Sequence, residues 1–232
     1  MVDGGWRWLC ERLLQPACLV CGQRAGWPGW CAGCRADLPA APARCPRCAS
    51  SLPAAADQAC GACLRRPPPW TCAVAAWCYA WPVDRLVQGL KFQRRPQVAV
   101  ALAAGLAETL RSRGGQRPLA LVPVPLHRWR LAQRGYNQAH EIARALARQL
   151  DLPLRAGALR RTRHTAAQSG LAATQRRRNL AGAFRAAGRL PAHVALVDDV
   201  MTPGSTLAVC TRTLLRAGAR RVDVWVVARA GR

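Results

Sequence analysis

The 232-residue sequence predicts an α/β fold, a mostly parallel sheet flanked by helices, with a small cysteine-rich module at its N-terminal side. Three observations carry that reading. From Thr71 onward, short and almost wholly apolar runs alternate with helix-period segments, the pattern of buried parallel strands and their crossovers. Hydrophobic residues make up 51% of the chain, which excludes a disordered chain and allows one core of ordinary domain size. Eight of the twelve cysteines fall in four CxxC pairs within the first 63 residues, setting that region apart.

The pairs are Cys18/Cys21, Cys31/Cys34, Cys45/Cys48 and Cys60/Cys63. Two intervening residues let a tight turn aim both thiolates at one ion, and two such turns complete a tetrahedral four-sulfur site. Four pairs therefore predict two zinc ions. Nine residues separate the first two pairs and eleven the last two, enough for each ribbon to return on itself. Sequential sharing is the simpler connectivity and a crossed one stays open, as do disulfides or an iron–sulfur centre. Residues 1–70 hold eight arginines and four acids, an excess that eight thiolates and two zinc ions cancel. The module thus reads as structural or partner-docking, with metal supplying much of its folding energy. No histidine or carboxylate is placed with the pairs to make an open catalytic zinc. Cys10, Cys72, Cys78 and Cys210 stand apart and read as small buried hydrophobes. The segment RRPPPW (Arg65–Trp70) reads as a stiff linker between a module at 1–66 and a domain at 71–232.

In that domain, 71–80 is the first expected strand, followed by helices at 83–92 and 98–110 and a strand at 119–125. A helix is expected from Tyr136 to Gln149, with Ile142, Leu146 and Leu150 on one side. The run 193–199 is another buried strand, with His193 expected at an edge. A helix over Pro203–Ala217 has Leu207, Cys210, Leu214 and Ala217 at inward spacing and is closed by Gly218, and 221–228 is the last strand. Parallel sheets bind ligands in the crevice outside the carboxyl ends of their strands. Asp198-Asp199 and Pro123-Val124-Pro125 both fall at such ends.

After the two aspartates comes VMTPGST. Thr202 is placed to cap the helix, Pro203 to sit near its start, and Gly204, Ser205 and Thr206 to expose N–H groups and hydroxyls to one phosphate. Carboxylates beside a phosphate cradle make sense for a sugar phosphate, whose hydroxyls or Mg²⁺ they would meet. GxxxxGKS/T and GxGxxG are both absent, so neither a P-loop nor a dinucleotide fingerprint is present.

The segment VALVDDVMTPGSTL resembles the phosphoribosyl-pyrophosphate motif of type I phosphoribosyltransferases. With VPVPLHRWRLAQRGYNQAHEIARALA (122–147), HTAAQSGLAATQRRRNLAGAF (164–184) and the four CxxC pairs, the chain resembles the ComF family of competence-associated proteins. The resemblance implies a double zinc ribbon followed by a phosphoribosyltransferase-like domain. By position it implies that Asp198 and Asp199 face the ribose hydroxyls, and that Thr202, Pro203, Gly204, Ser205 and Thr206 wrap the 5-phosphate. Leu126, His127 and Arg128 would take the place of the pyrophosphate loop, and 160–185 that of the hood. One departure from the family pattern is Pro203, which stands where a threonine is common and removes a hydroxyl and an N–H.

Residues 71–232 carry 27 Lys+Arg against seven acids, a surface that attracts polyanions unless arginine is merely abundant throughout. Eight arginines and no acids lie between Arg160 and Arg189. Arg176, Arg177 and Arg178 are candidates for a phosphate backbone or for a solvated face. In RGYNQ, Arg134 is a candidate phosphate contact, Tyr136 a stacking platform, and Asn137 and Gln138 readers of polar groups. The bland alternative is a helix start with a half-buried tyrosine. Lys91 is the only lysine and suggests a cation directed at a site. No serine–histidine–acid set or deaminase signature is legible. No apolar run is long enough to span a membrane, and MVDGGWRWLCERLL is unlike a signal peptide, so a cytoplasmic protein is expected. The favoured expectation is a ComF-like accessory protein of DNA uptake, binding single-stranded DNA and phosphoribosyl pyrophosphate, with a helicase-like partner on the ribbon. The alternative is an active Mg²⁺-dependent phosphoribosyltransferase with an unidentified acceptor. An Asp-Asp metal phosphatase is weaker, because no further acidic ligands gather.

Overall fold

The computed structural model describes residues 17–41, 43–53, 58–93, 95, 97–163 and 182–231. In chain order the elements are α1 (Ala32–Ala36), α2 (Gly61–Arg65), β1 (Ala73–Cys78), α3 (Val83–Phe92), α4 (Gln97–Arg113), β2 (Ala120–Pro123), α5 (Arg128–Arg134) and α6 (Gln138–Leu150), then β3 (Leu159–Arg161), β4 (Phe184–Ala186), β5 (His193–Met201), α7 (Ser205–Arg216) and β6 (Arg221–Arg229). Four strands form one sheet in the order β1-β6-β5-β2, every pairing parallel. The short β3 and β4 pair antiparallel.

Strand alternation explains why these runs are apolar throughout. Along β5 and β6, Ala195, Val197, Trp225 and Val227 enter the core under α3, α4 and α6. Val194, Leu196, Val222, Val224 and Val226 enter the other core, with Leu207, Cys210 and Leu214 of α7. The expected strands and helices are therefore present, with two differences at helix starts. The helix expected from Tyr136 begins at Gln138, with Asn137 as its N-cap. The helix expected from Pro203 begins at Ser205, with Gly204 at the N-cap position. His193 is not at an edge. It is buried on β5 between β2 and β6, its Nε2 2.8 Å from Asp223 Oδ2.

The ribbon lies on β1. The N–H of Ala73 donates to Pro46 O (2.9 Å) and that of Cys78 to Pro39 O (2.8 Å), so the outer edge of an edge strand is covered. Trp30 packs edge-on to Trp77 of β1, ring centroids 6.3 Å apart. The segment read as a stiff linker is pinned at its end: Trp70 is buried in the core, its Nε1 donates to Arg47 O (2.5 Å), and Arg47 donates to Pro68 O (3.0 Å).

Gly105 on α4 is needed for close approach. A Cβ there would lie 2.2 Å from the Trp77 ring, against a helix-propensity gain for alanine of only about 1 kcal/mol. Overpacking wins that comparison. Gly105→Ala should lower unfolding free energy by about 1–3 kcal/mol in denaturant titration, and unchanged stability would contradict this packing.

Candidate functional site

The first four-cysteine group is Cys18, Cys21, Cys31 and Cys34, the second Cys45, Cys48, Cys60 and Cys63, with ligand atoms in each group within 4.8 Å of one another. Pairing is sequential. A tetrahedral zinc–tetrathiolate centre with bonds of about 2.3 Å has sulfurs about 3.8 Å apart. Cys21 and Cys31 Sγ are 3.6 Å apart, and Cys48 and Cys60 Sγ 3.7 Å, so both groups fit structural zinc.

At the carboxyl end of the sheet, β2 ends at Pro123 opposite Val197, whereas β5 continues to Met201. Asp198 and Asp199 therefore emerge beside the end of β2, in a crevice of about 450 Å³. Val124, Pro125 and Leu126 line it from the loop after β2, with Gln138 and Thr206 from the starts of α6 and α7. The basic groups on it are Lys91, Arg130, Arg134 and Arg161. Lys91 Nζ lies 2.7 Å from Asp199 Oδ2, and Asp199 is only 4% exposed. The lone lysine of the chain is thus aimed at the acidic pair.

The crevice sets the carboxylate pair beside several basic groups. Burial, then the charge of Asp199, pushes the Asp198 carboxyl well above the usual carboxylate range. Burial, then the charge of Arg130, lowers the Arg161 guanidinium from its usual value. Burial likewise lowers Arg134. Like charges crowded in a partly dry cleft call for a counter-ion.

The cradle is a separate small cavity of about 50 Å³, lined by Asp198 and by Thr202, Pro203, Gly204, Ser205 and Thr206. Thr202 does not cap the helix, because Gly204 holds the N-cap position at φ 78° with no side-chain cap. The first N–H groups of the twelve-residue α7 thus lack both intrahelical partners and a capping oxygen, and they face negative charge favourably. A Cβ on Gly204 would meet the Trp70 ring at 2.9 Å. Arg229 donates to Cys48 O (3.0 Å) and to Met201 O (3.1 Å), joining the second four-cysteine group to the start of this loop.

The remaining expected positions divide. Leu126 lines the crevice, but His127 is buried as the N-cap of α5, its Nδ1 accepting from Trp129 N (3.4 Å). Arg128 is exposed over the Trp129 ring, 5.9 Å from its centroid, and Arg130 lines the crevice instead. Tyr136, just before the N-cap of α6, is half-buried against the core and its hydroxyl donates to Leu90 O. Asn137 is also spent on structure, donating to Val124 O (2.9 Å) and accepting from Ala139 N (3.1 Å). Gln138 differs: its Oε1 is buried at the crevice without a hydrogen-bond partner among the described residues. Arg176, Arg177 and Arg178 lie outside the described residues. The exposed aromatics near the crevice are Phe92 (71% exposed), under Arg134 at 5.2 Å, and Trp129 (62%). In the sequence these positions carry RWR at 128–130, an aromatic between two arginines, which no expectation above used.

No protein-family model matches the chain. Over 238 residues, 97% of this chain and 97% of the relative, it is 40% identical to the DNA utilization protein YhgH of Escherichia coli O157:H7. Over 210 residues, 87% and 91% of the two chains, it is 38% identical to Competence protein F of Haemophilus influenzae. The chain belongs to the ComF family. Among solved structures, a purine phosphoribosyltransferase from Pyrococcus horikoshii Ot3 is similar at a TM-score of 0.34 and 18% identity, over 55% of this chain and 80% of its own. The fold of this ComF-family chain is described by its own strand order and its two four-cysteine groups, not by that likeness. No described helix is long and apolar enough to cross a membrane.

A carboxyl with a raised folded pKa contributes its stability below the unfolded value and loses it as pH rises through the folded one. At neutral pH, Asp198 therefore weighs against folding. Asp198→Asn should raise Tm by a few degrees at pH 7, the gain vanishing toward about pH 4. A Tm lowered at pH 7 would refute the assigned burial cost.

Proposed function

We propose that this chain is a ComF-type protein of DNA uptake and utilisation, acting in the cytoplasm, that binds phosphoribosyl pyrophosphate with Mg²⁺ in the crevice and single-stranded DNA along its rim. The observation that carries the reading is the convergence, at the end of one strand, of an acidic pair, an uncapped helix start and a group of basic side chains. In this reading the N–H groups of Ser205 and Thr206 and their hydroxyls hold the 5-phosphate. Asp198 and Asp199 accept from the ribose hydroxyls, or meet Mg²⁺, which would supply charge neutralisation of the pyrophosphate. Lys91, Arg130 and Arg134 take its remaining charge, and Gln138 Oε1 accepts from a donor deeper in the crevice. The names of the relatives, DNA utilization protein and Competence protein F, support the DNA role.

For the DNA strand, Phe92 and Trp129 offer exposed rings and Arg128, Arg130 and Arg134 track phosphates beside them. The ribbon, with Trp27 and Leu64 exposed, suits docking of a helicase-like partner. The same crevice would serve an active phosphoribosyltransferase, whose chemistry would be positional and electrostatic. Pyrophosphate release on adding an acceptor to the bound sugar phosphate would favour that second reading.

Titration of the zinc-loaded chain with phosphoribosyl pyrophosphate and Mg²⁺ should give saturable binding that Asp198→Asn/Asp199→Asn abolishes. No binding by the wild type would sink the crevice assignment. Pro203→Thr, which restores an N–H and a hydroxyl, should tighten that binding about tenfold, and an unchanged affinity would remove Pro203 from the cradle. Single-stranded DNA should bind with strong salt dependence, and Trp129→Ala with Arg130→Ala should weaken it at least about tenfold. DNA affinity unaffected by both would place the strand elsewhere.

A further inference from the structure

A second cavity, of about 540 Å³, lies at the opposite end of the sheet, where β1 and β6 begin and α4 and α6 end. Its volume is that of a small-molecule pocket. Neither the crevice nor the cradle shares a lining residue with it. Its wall holds four arginines and one carboxylate. The carboxylate, Asp223, is already committed: Arg221 Nε and Nη2 reach it at 3.2 and 3.3 Å, and His193 Nε2 at 2.8 Å.

The other three guanidiniums have no carboxylate partner among the described residues. Each is tethered by a backbone carbonyl. Arg111 donates to Gln149 O (2.6 Å), Arg113 to Ala73 O (3.0 Å) and Arg117 to Leu150 O. Helix capping alone would explain two of these bonds, yet it uses one of the five donors on each side chain. Nor does it balance the charge: two helix C-termini supply about half a negative charge each, against three full positive charges. The result is three tethered, exposed arginines along one cavity wall, with donors to spare. Beneath it the floor is apolar, from Val74, Leu110, Leu152 and the buried Trp225. Cys72, the one thiol on the wall, is pushed up to about 11 by burial and then by Asp223, so it stays protonated and offers no nucleophile. This is a place for binding, not for covalent chemistry.

We propose that this cavity is a second ligand site, for a small organic anion with a flat apolar body, of the size of a nucleoside monophosphate. The anionic group sits at Arg111, Arg113 and Arg117, and the body lies on the apolar floor. Occupation ties together the ends of α4 and α6 and the start of β6, away from the sugar-phosphate crevice.

The test uses the full zinc-loaded chain, with adenosine 5′-monophosphate as probe and adenosine and inorganic phosphate as separate arms. Binding is read by calorimetry and by hydrogen–deuterium exchange. The monophosphate should bind more tightly than either arm and slow exchange at 111–118 and 149–152. Arg117→Gln, at an exposed loop position, should weaken it about tenfold, as should Arg111→Gln if the first variant folds poorly. The inference is overturned if the monophosphate does not bind at millimolar concentration, if protection falls on 198–206 instead, or if both variants bind like the wild type. Phosphate alone binding as tightly as the monophosphate would overturn the role of the apolar floor. Because no crevice residue is altered, these outcomes are distinct from those that test the sugar-phosphate reading.

Discussion

The ion pair of Lys91 Nζ with Asp199 Oδ2, 2.7 Å long, ties the end of α3 to an acidic pair that the sheet would otherwise leave nearly buried and repelling. β5 outruns β2, so the two carboxylates cannot retreat from the crevice, and the covalent neighbourhood forbids their separation. A nearby cation is the available remedy. One lysine meets one carboxylate, and Asp198 is left with its ionisation disfavoured. Arg130, Arg134 and Arg161 meanwhile stand in the same crevice with more positive charge than the aspartates balance. A ligand carrying hydroxyls on one side and phosphates on the other would relieve both imbalances.

The ribbon bears on this site although it is far along the chain. Its carbonyls at Pro39 and Pro46 complete the edge of β1, and Trp70 reaches from the ribbon's Arg47 carbonyl to the underside of Gly204. Arg229 bridges Cys48 and Met201 in parallel. Metal at the second four-cysteine group would therefore hold the partners that shape the loop before α7 from below. A zinc module in this arrangement is a wall of the domain as much as an appendage.

Much of this was legible in the sequence because strand and helix periods, the CxxC spacing and the acidic pair are local patterns. The sheet, its ends and both four-cysteine groups follow from such patterns. What was not legible depends on long-range packing. Tyr136 and Asn137 carry the composition of a nucleic-acid contact, yet Leu90 O and Val124 O, distant in sequence, consume their hydrogen bonds. Pro203 suggested a helix start, but Trp70 and the positive φ of Gly204 delay the helix to Ser205. The arginines that line the cavity at the far end of the sheet are scattered through α4 and the loop after it, so no motif announces them.

The most direct measurement is a crystal structure of the chain with phosphoribosyl pyrophosphate and Mg²⁺. The 5-phosphate should lie against residues 202–206, the ribose hydroxyls at Asp198 and Asp199, and Lys91 should turn from Asp199 toward the pyrophosphate. A ligand seated elsewhere, with the Lys91–Asp199 pair intact and the ribose remote from both carboxylates, would contradict this placement.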